Sequence, residues 1–228
     1  HPTWGPALTL HGTTLALQDL TSDGFYISTY SLADDLSVQP IHDKVAAYAL
    51  LWQYSLSPDG SYLVGIAHPR FIYKSWIVGN CLVSCWDEHS ETTIPGQGLI
   101  YRLPEGEQVA ELDPARLHLN TDQTLFAPDN RLLATMYTQD SLTSIQLWQV
   151  SDGSLYRQMD SLRSSGSRSS LAFHPLDTHL AVIGDGKLQL WEWKQDAILW
   201  RVDGPFSAVA FAPDGSLLAT GAADGSVQ

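Results

Sequence analysis

Short apolar runs of five or six residues alternate with turn clusters along most of the chain, most clearly from Phe206 to Val227, which reads FSAVAFAPDGSLLATGAADGSV. In Ala212-Pro213-Asp214-Gly215, proline presets φ for a turn's second position, Asp suits the third, and Gly supplies the positive φ that follows. The flanking runs, Ala208 to Ala212 and Leu217 to Ala222, carry apolar residues on both faces and predict strands buried on both sides. Asp224-Gly225 marks a second tight turn. The stretch therefore predicts strand, turn, strand, turn and the start of a third strand that breaks off at Gln228.

The same rhythm recurs upstream. From Ser167 to Val202, His174-Pro175-Leu176-Asp177, Asp185-Gly186 and Lys194-Gln195-Asp196 separate strands at Leu180 to Ile183, Leu188 to Trp193 and Ile198 to Val202. Before it, TLFAPDNRLLATMY, SIQLWQVSDG and SLYRQM place Pro128-Asp129-Asn130 at the first turn, where Asn substitutes for Gly at positive φ, and Asp152-Gly153 at a later one. Earlier still, LLWQYSLSPDGSYLVGIA carries Pro58-Asp59-Gly60, and the unit resumes at GLIYRLPEGEQVAEL with Glu105-Gly106. The first unit, WGPALTLHGTTLALQDL onward, has His11-Gly12 in place of Pro-Asp. First-turn prolines fall at 58, 128, 175 and 213, at intervals of 70, 47 and 38 residues. A period near about 40 with four strands per unit predicts an all-β propeller whose blades bury their faces only against neighbours. The units run approximately 4–42, 50–114 with an insertion at 68–97, 122–162, 167–203 and an incomplete 206–228.

These motifs resemble those of the WD-repeat β-propeller family. The matching residues are Ser57-Pro58-Asp59-Gly60, Ala212-Pro213-Asp214-Gly215, the LLAT runs at Leu132 to Thr135 and Leu217 to Thr220, and Leu147-Trp148 and Leu190-Trp191 in third strands. The chain departs from the family pattern where Gln149 and Glu192 follow the tryptophans in place of Asp, and it has no Gly-His pair before the first strands. The resemblance implies antiparallel four-stranded blades, a non-catalytic scaffold role, and protein or peptide partners. About seven blades usually close such a ring. Four complete units and half of a fifth therefore predict an open arc of a larger propeller, its missing blades belonging to a parent chain. Such an arc would have unpaired strand edges prone to pairing with another chain.

Composition agrees with a turn-rich globular chain: 44% of residues are apolar and 16% charged, with 17 Gly, 12 Pro and 8 Trp. A net charge of -13, from 25 acidic and 12 basic residues, argues against nucleic acid or an anionic membrane as partner. No apolar run approaches the roughly 18 residues of a membrane span. The chain begins with His1 instead of Met and ends inside a strand pattern, so both natural termini are expected to lie beyond it.

The insertion HPRFIYKSWIVGNCLVSCWDEHSETTIPGQ, His68 to Gln97, stands apart from the repeat. Long loops in compact domains are often functional, and its aromatics Phe71, Tyr73, Trp76 and Trp86 are the first candidates for partner binding. On a helix Cys81, Cys85 and His89 would share a face and form a weak metal candidate, with His68 as a fourth ligand. A disulfide between Cys81 and Cys85 or two free thiols are the alternatives. A disulfide would imply export; otherwise the reading leans to the cytoplasm.

No cofactor is expected, and neither is catalysis. A Gly-x-Ser-x-Gly elbow is lacking, His174 falls at a turn position, and His11, His42, His118 and His179 stand singly. Asp87, Glu88 and Glu91 lack the alternating ligands of a calcium loop. Trp148 and Trp191, at equivalent strand positions, are expected to fill the space between blades. The alternative is a propeller enzyme, or an accessory propeller of a larger catalytic or signalling protein. An enzyme would need polar side chains converging from several first strands, yet these read QYSLS, QTLFA, SSLAF and AVAFA.

Overall fold

Each Pro-Asp turn closes a hairpin, and each hairpin grows into a sheet. A computed structural model describes residues 8–11, 14–21, 24–32, 38–47, 51–67, 70–74, 90–94, 96–103, 105–119, 121–140, 142–163, 169–176, 178–184, 187–222 and 224–228; for the first sheet and the insertion it describes the backbone alone. β1 (Leu8–His11), β2 (Thr14–Thr21), β3 (Gly24–Leu32) and β4 (Val38–Ala47) form the first sheet in that order. β5 (Leu51–Leu56) and β6 (Tyr62–Ala67) lead into a separate hairpin, β7 (Arg70–Lys74) and β8 (Ser90–Ile94). The chain then returns as β9 (Gln97–Arg102) and β10 (Glu107–Glu111) to complete the second sheet. The third comprises β11 (Thr121–Phe126), β12 (Leu132–Gln139), β13 (Leu142–Gln149) and β14 (Leu155–Arg163), and the fourth β15 (Ser170–Phe173), β16 (His179–Gly184), β17 (Lys187–Glu192) and β18 (Ala197–Asp203). β19 (Phe206–Phe211) and β20 (Leu218–Ala222) form a fifth, two-stranded unit. All-β and antiparallel throughout, the fold is an open arc of a propeller.

Strand alternation assigns each side chain to one of two neighbours. Leu63 packs with Tyr54, Leu56 and Tyr101 on one face of the second sheet, while Val64, Ile66 and Ile100 meet Leu133 and Trp148 of the third. Across the next joint, Ala134, Met136, Ile145 and Leu147 meet Phe173, Leu180, Val182 and Trp191. The last joint sets Ala172, Ala181 and Ile183 against Phe206, Val209, Phe211 and Leu218. Every strand of this kind needs two neighbouring sheets, which is why the blade sequence is apolar on both faces.

Polar side chains stitch the inner strands together at matching positions. Gln53 Nε2 donates to the Asp122 carbonyl (3.1 Å), Gln123 Oε1 accepts from the Leu171 N–H (3.0 Å), and Ser170 Oγ accepts from the Val209 N–H (3.4 Å). Gln53, Gln123 and Ser170 each stand three residues before the end of β5, β11 and β15, so one sequence position hands each sheet to the next.

Two local expectations are corrected. β19 and β20 are not buried on both sides: one face packs on the fourth sheet, while Ala208, Ala210 and Ala219 are exposed and Leu217 is 70% exposed. Among the described residues no adjoining sheet covers that face, so the apolar pattern goes unused there. Trp193 lies in the turn after β17 and not in the strand, its N–H donating to the Thr178 carbonyl at 3.2 Å.

Candidate interaction surface

Antiparallel order sorts the loops into two sets at opposite ends of the strands. The Pro-Asp turns and the third-to-fourth-strand turns share one end; the insertion leaves the other end of β6. Phe71 and Tyr73 occupy alternate positions of β7, opposite Thr93 and Glu91 of β8. His68, Trp76, Cys81, Cys85, Trp86, Asp87, Glu88 and His89 lie outside the described residues, and so does the choice among metal, disulfide and thiols. Among the described residues, no three His, Cys, Asp or Glu gather to hold a metal ion. No described helix is long and apolar enough to cross a membrane.

The turns are held by one device used repeatedly, most often at the Pro-Asp end. In Asp-Gly-Ser, the aspartate Oδ1 accepts both the backbone N–H and the hydroxyl of the serine two residues on: Asp59 from Ser61 (2.9 and 2.6 Å), Asp152 from Ser154 (2.9 and 2.7 Å), Asp214 from Ser216 (3.0 and 2.7 Å) and Asp224 from Ser226 (2.9 and 2.7 Å). Such local bonds fix the turn without help from the rest of the fold. At Pro128-Asp129-Asn130, Arg131 supplies only its N–H (3.0 Å) and Asn130 takes φ of 58°. Bonds from Ser154, Ser216 and Ser226 hold the carboxyls of Asp152, Asp214 and Asp224 below the ordinary aspartate value. Burial pushes Asp59 up, but bonds from Ser61, Ser57 and Asn130 outweigh it and lower that group too.

Trp148 and Trp191 fill the joints between sheets at 0% and 1% exposure, but their indoles are anchored differently. Trp148 Nε1 donates to buried Thr135 Oγ1 at 2.8 Å. Strand register puts Val182 where the third sheet has Thr135, and Val182 cannot accept; Trp191 Nε1 reaches Asp196 Oδ1 in the following turn at 3.1 Å. Tyr101, opposite Leu63, holds the same register in the second sheet as Trp148 opposite Leu133 and Trp191 opposite Leu180. That equivalence escapes the sequence because Tyr replaces Trp. Glu192, where the family pattern has Asp, accepts from Thr178 Oγ1 (2.6 Å), the Gln195 N–H (2.7 Å) and the Lys194 N–H (3.2 Å). The Thr178 bond leads in holding its carboxyl below the usual range, against the effect of burial.

Two single histidines prove to be joints. His118 stacks on Tyr137, ring centroids 4.1 Å apart, and its Nε2 meets Gln139 Oε1 at 2.7 Å, linking the loop after β10 to β12. His174, in the fourth sheet's first turn, accepts the Leu176 N–H at Nδ1 (3.2 Å). Its other ring nitrogen, Nε2, therefore carries the hydrogen and faces the Gly215 carbonyl of the next unit at 3.2 Å. Phe211 meets the same ring edge-on, centroids 4.9 Å apart.

Between successive turns lie grooves of different character. The one between the second and third sheets, 580 Å³, is lined mainly by polar residues, Asp59, Ser61, Asp129, Asn130 and Arg131 among them. The one between the third and fourth, 640 Å³, has an apolar bed of Ala127, Leu132, Pro175, Leu176 and Trp193, with Arg131 and Lys194 beside it. Pro58, Pro128 and Pro213 stand at the turns themselves, and of these Pro128 lines the apolar groove.

A model of the WD domain, G-beta repeat, matches residues 200–228. WD repeat and SOCS box-containing protein 1 of Takifugu rubripes is 26% identical over 157 residues, 66% of this chain and 35% of that protein. Sqt1 from Chaetomium thermophilum shares the fold at a TM-score of 0.59 and 18% identity, covering 95% of this chain and 52% of Sqt1. Kuenenia stuttgartiensis hydrazine synthase does so at 0.58 and 12%, covering 95% of this chain and 68% of that one. The chain thus spans only a part of the length of each.

Proposed function

We infer that this chain, a member of the WD-repeat β-propeller family, is a non-catalytic scaffold that docks protein or peptide partners on loops held at the two ends of its sheets. The observation that carries the reading is the contrast between frame and loops. Buried inter-sheet clusters and self-contained Asp-Ser turns give a rigid frame, which suits loop-borne recognition. The inner strands contribute small or apolar residues and stitching amides, with no acid, base and nucleophile converging among the described residues. Family resemblance carries the rest, since WD-repeat domains typically bind protein partners.

Two docking regions are proposed: the insertion 68–97, with Phe71, Tyr73, Trp76 and Trp86 as anchors, and the rim of Pro-Asp turns. A pull-down from lysate with the chain and with a version in which 68–97 is replaced by a short Gly-Ser turn tests the first. Loss of the recovered partners is expected, and unchanged recovery removes the insertion from the site. The second reading, an accessory propeller within a larger protein, is favoured by one fact: the curated relative joins its WD repeats to a SOCS box.

A further inference from the structure

The cations of the described side chains divide unevenly. Arg102 pairs with Glu107 (3.1 Å), Arg116 with Asp113 (3.6 Å) and Lys187 with Asp203 (3.4 Å), while Arg201 donates to Gln189 Oε1 (3.0 Å). The side chains of Arg131, Arg157 and Lys194 have neither a carboxylate nor an amide partner among the described residues. Two of them line one groove, and the third lies against a tyrosine at its side. Arg131 and Lys194 line the 640 Å³ groove between the third and fourth sheets, and Arg157 lies 5.5 Å from the ring centre of Tyr156, which lines the same groove. Asp129 is the acidic residue lining it, and one of its oxygens already holds the Arg131 N–H.

Alongside these charges is apolar surface of an unusual kind for a turn rim. Leu176 is 76% exposed and Tyr156 39%, and both line the groove above Trp193. A chain with net charge -13 whose Arg131 and Lys194 line an apolar trough without a carboxylate partner complements a ligand of the opposite pattern. We propose that this groove binds an extended acidic peptide, its Asp or Glu side chains meeting Arg131 and Lys194 and a flanking apolar side chain resting against Leu176 and Trp193. A volume of 640 Å³ falls within the few-hundred to about 1,000 Å³ of ligand sites, enough for a short segment and not for a globular face. The neighbouring 580 Å³ groove shares Asp129 and Arg131 with this one but adds Asp59 and lacks Lys194 and the apolar bed, so it suits the same ligand less.

This proposal rests on the scaffold reading and narrows it to one site and one partner chemistry. The probe is a fluorescein-labelled hexapeptide with two central glutamates flanked by leucines, followed by fluorescence anisotropy, beside counterparts carrying two lysines or two phosphoserines. The glutamate peptide is expected to bind, and the lysine peptide to fail. Arg131→Glu with Lys194→Glu should weaken binding at least about tenfold, because like charges then face each other. Leu176→Glu, at an exposed position that tolerates change, should weaken it as well, while Arg102→Glu should leave it unchanged. Raising salt should loosen the complex, as expected of exposed charges.

Absent binding of the glutamate peptide, or binding that ignores the groove variants, overturns the proposal, and binding of the phosphoserine peptide alone overturns its carboxylate assignment. If the hexapeptide fails while the pull-down still recovers partners, only the groove falls. If the pull-down recovers none, the scaffold reading falls whatever the peptide does.

Discussion

The tetrapeptide Leu-Leu-Ala-Thr occurs twice after a Pro-Asp turn, and the two copies meet different fates. In the third sheet Leu133, Ala134 and Thr135 are fully buried. In the fifth unit Leu217 is 70% exposed, Ala219 is exposed, and only Thr220 is buried. Their turns nonetheless match: the N–H of Ala127 bonds Leu132 as that of Ala212 bonds Leu217, at 2.8 and 2.9 Å, and both aspartates accept the N–H two residues on. Turn geometry is therefore written within about five residues, whereas strand burial depends on whether a further sheet stands alongside.

Four measurements can break or sharpen that contrast. Phe173 and Phe211 hold equivalent positions opposite Leu180 and Leu218, one buried and one half-exposed. Phe173→Ala should cost about 3–5 kcal/mol of stability, and Phe211→Ala clearly less, by denaturant titration; equal costs would break the comparison. A Cβ at Gly153, where φ is 72°, would overlap the Glu111 carbonyl of the second sheet, whereas at Gly225 nothing lies within 4 Å. Gly153→Ala should therefore lower stability by about 3 kcal/mol and Gly225→Ala by about 1, the strain of the left-handed backbone alone.

Thr135→Val strands the buried Trp148 N–H and should cost about 1–3 kcal/mol. Asp196→Ala should cost less, because Trp191's partner sits in a turn that water reaches. The smallest effect comes with acid. The carboxyls of Asp59, Asp152, Glu192, Asp214 and Asp224 are lowered in the folded state. Unfolding thus takes up protons, and the stability they contribute is present above about pH 4 and fades as pH falls below it. A melting temperature that rises on acidification from pH 5 to pH 3 would contradict these turn bonds.

What could be read from the sequence follows the same division between local and distant causes. Pro58-Asp59-Gly60, Pro213-Asp214-Gly215 and the positive φ of Asn130 are set by neighbouring residues, and the chain announces them. Trp148 and Trp191 were recognisable because each follows a Leu in a run of the same period. Tyr101 was not, since the insertion separates it from its unit's first hairpin and its ring type differs. Arg131 and Lys194 are unremarkable one at a time; only the packing of the third sheet on the fourth brings them to one groove. The exposed face of the fifth unit was misread for a like reason: an apolar alternation records what a strand could bury, not what stands next to it.

The contact at Gly153 bears on shape. Its carbonyl accepts the Asp113 N–H at 3.2 Å, and its missing side chain lets the turn sit against the Glu111 carbonyl, so backbone touches backbone between two sheets. Side chains at a joint have rotamers with which to absorb a small misfit, whereas peptide groups have none. This joint therefore acts as a gauge block for curvature: it sets the angle between the second and third sheets, and any error there would be swung outward along the arc, displacing the far sheets more than the near ones.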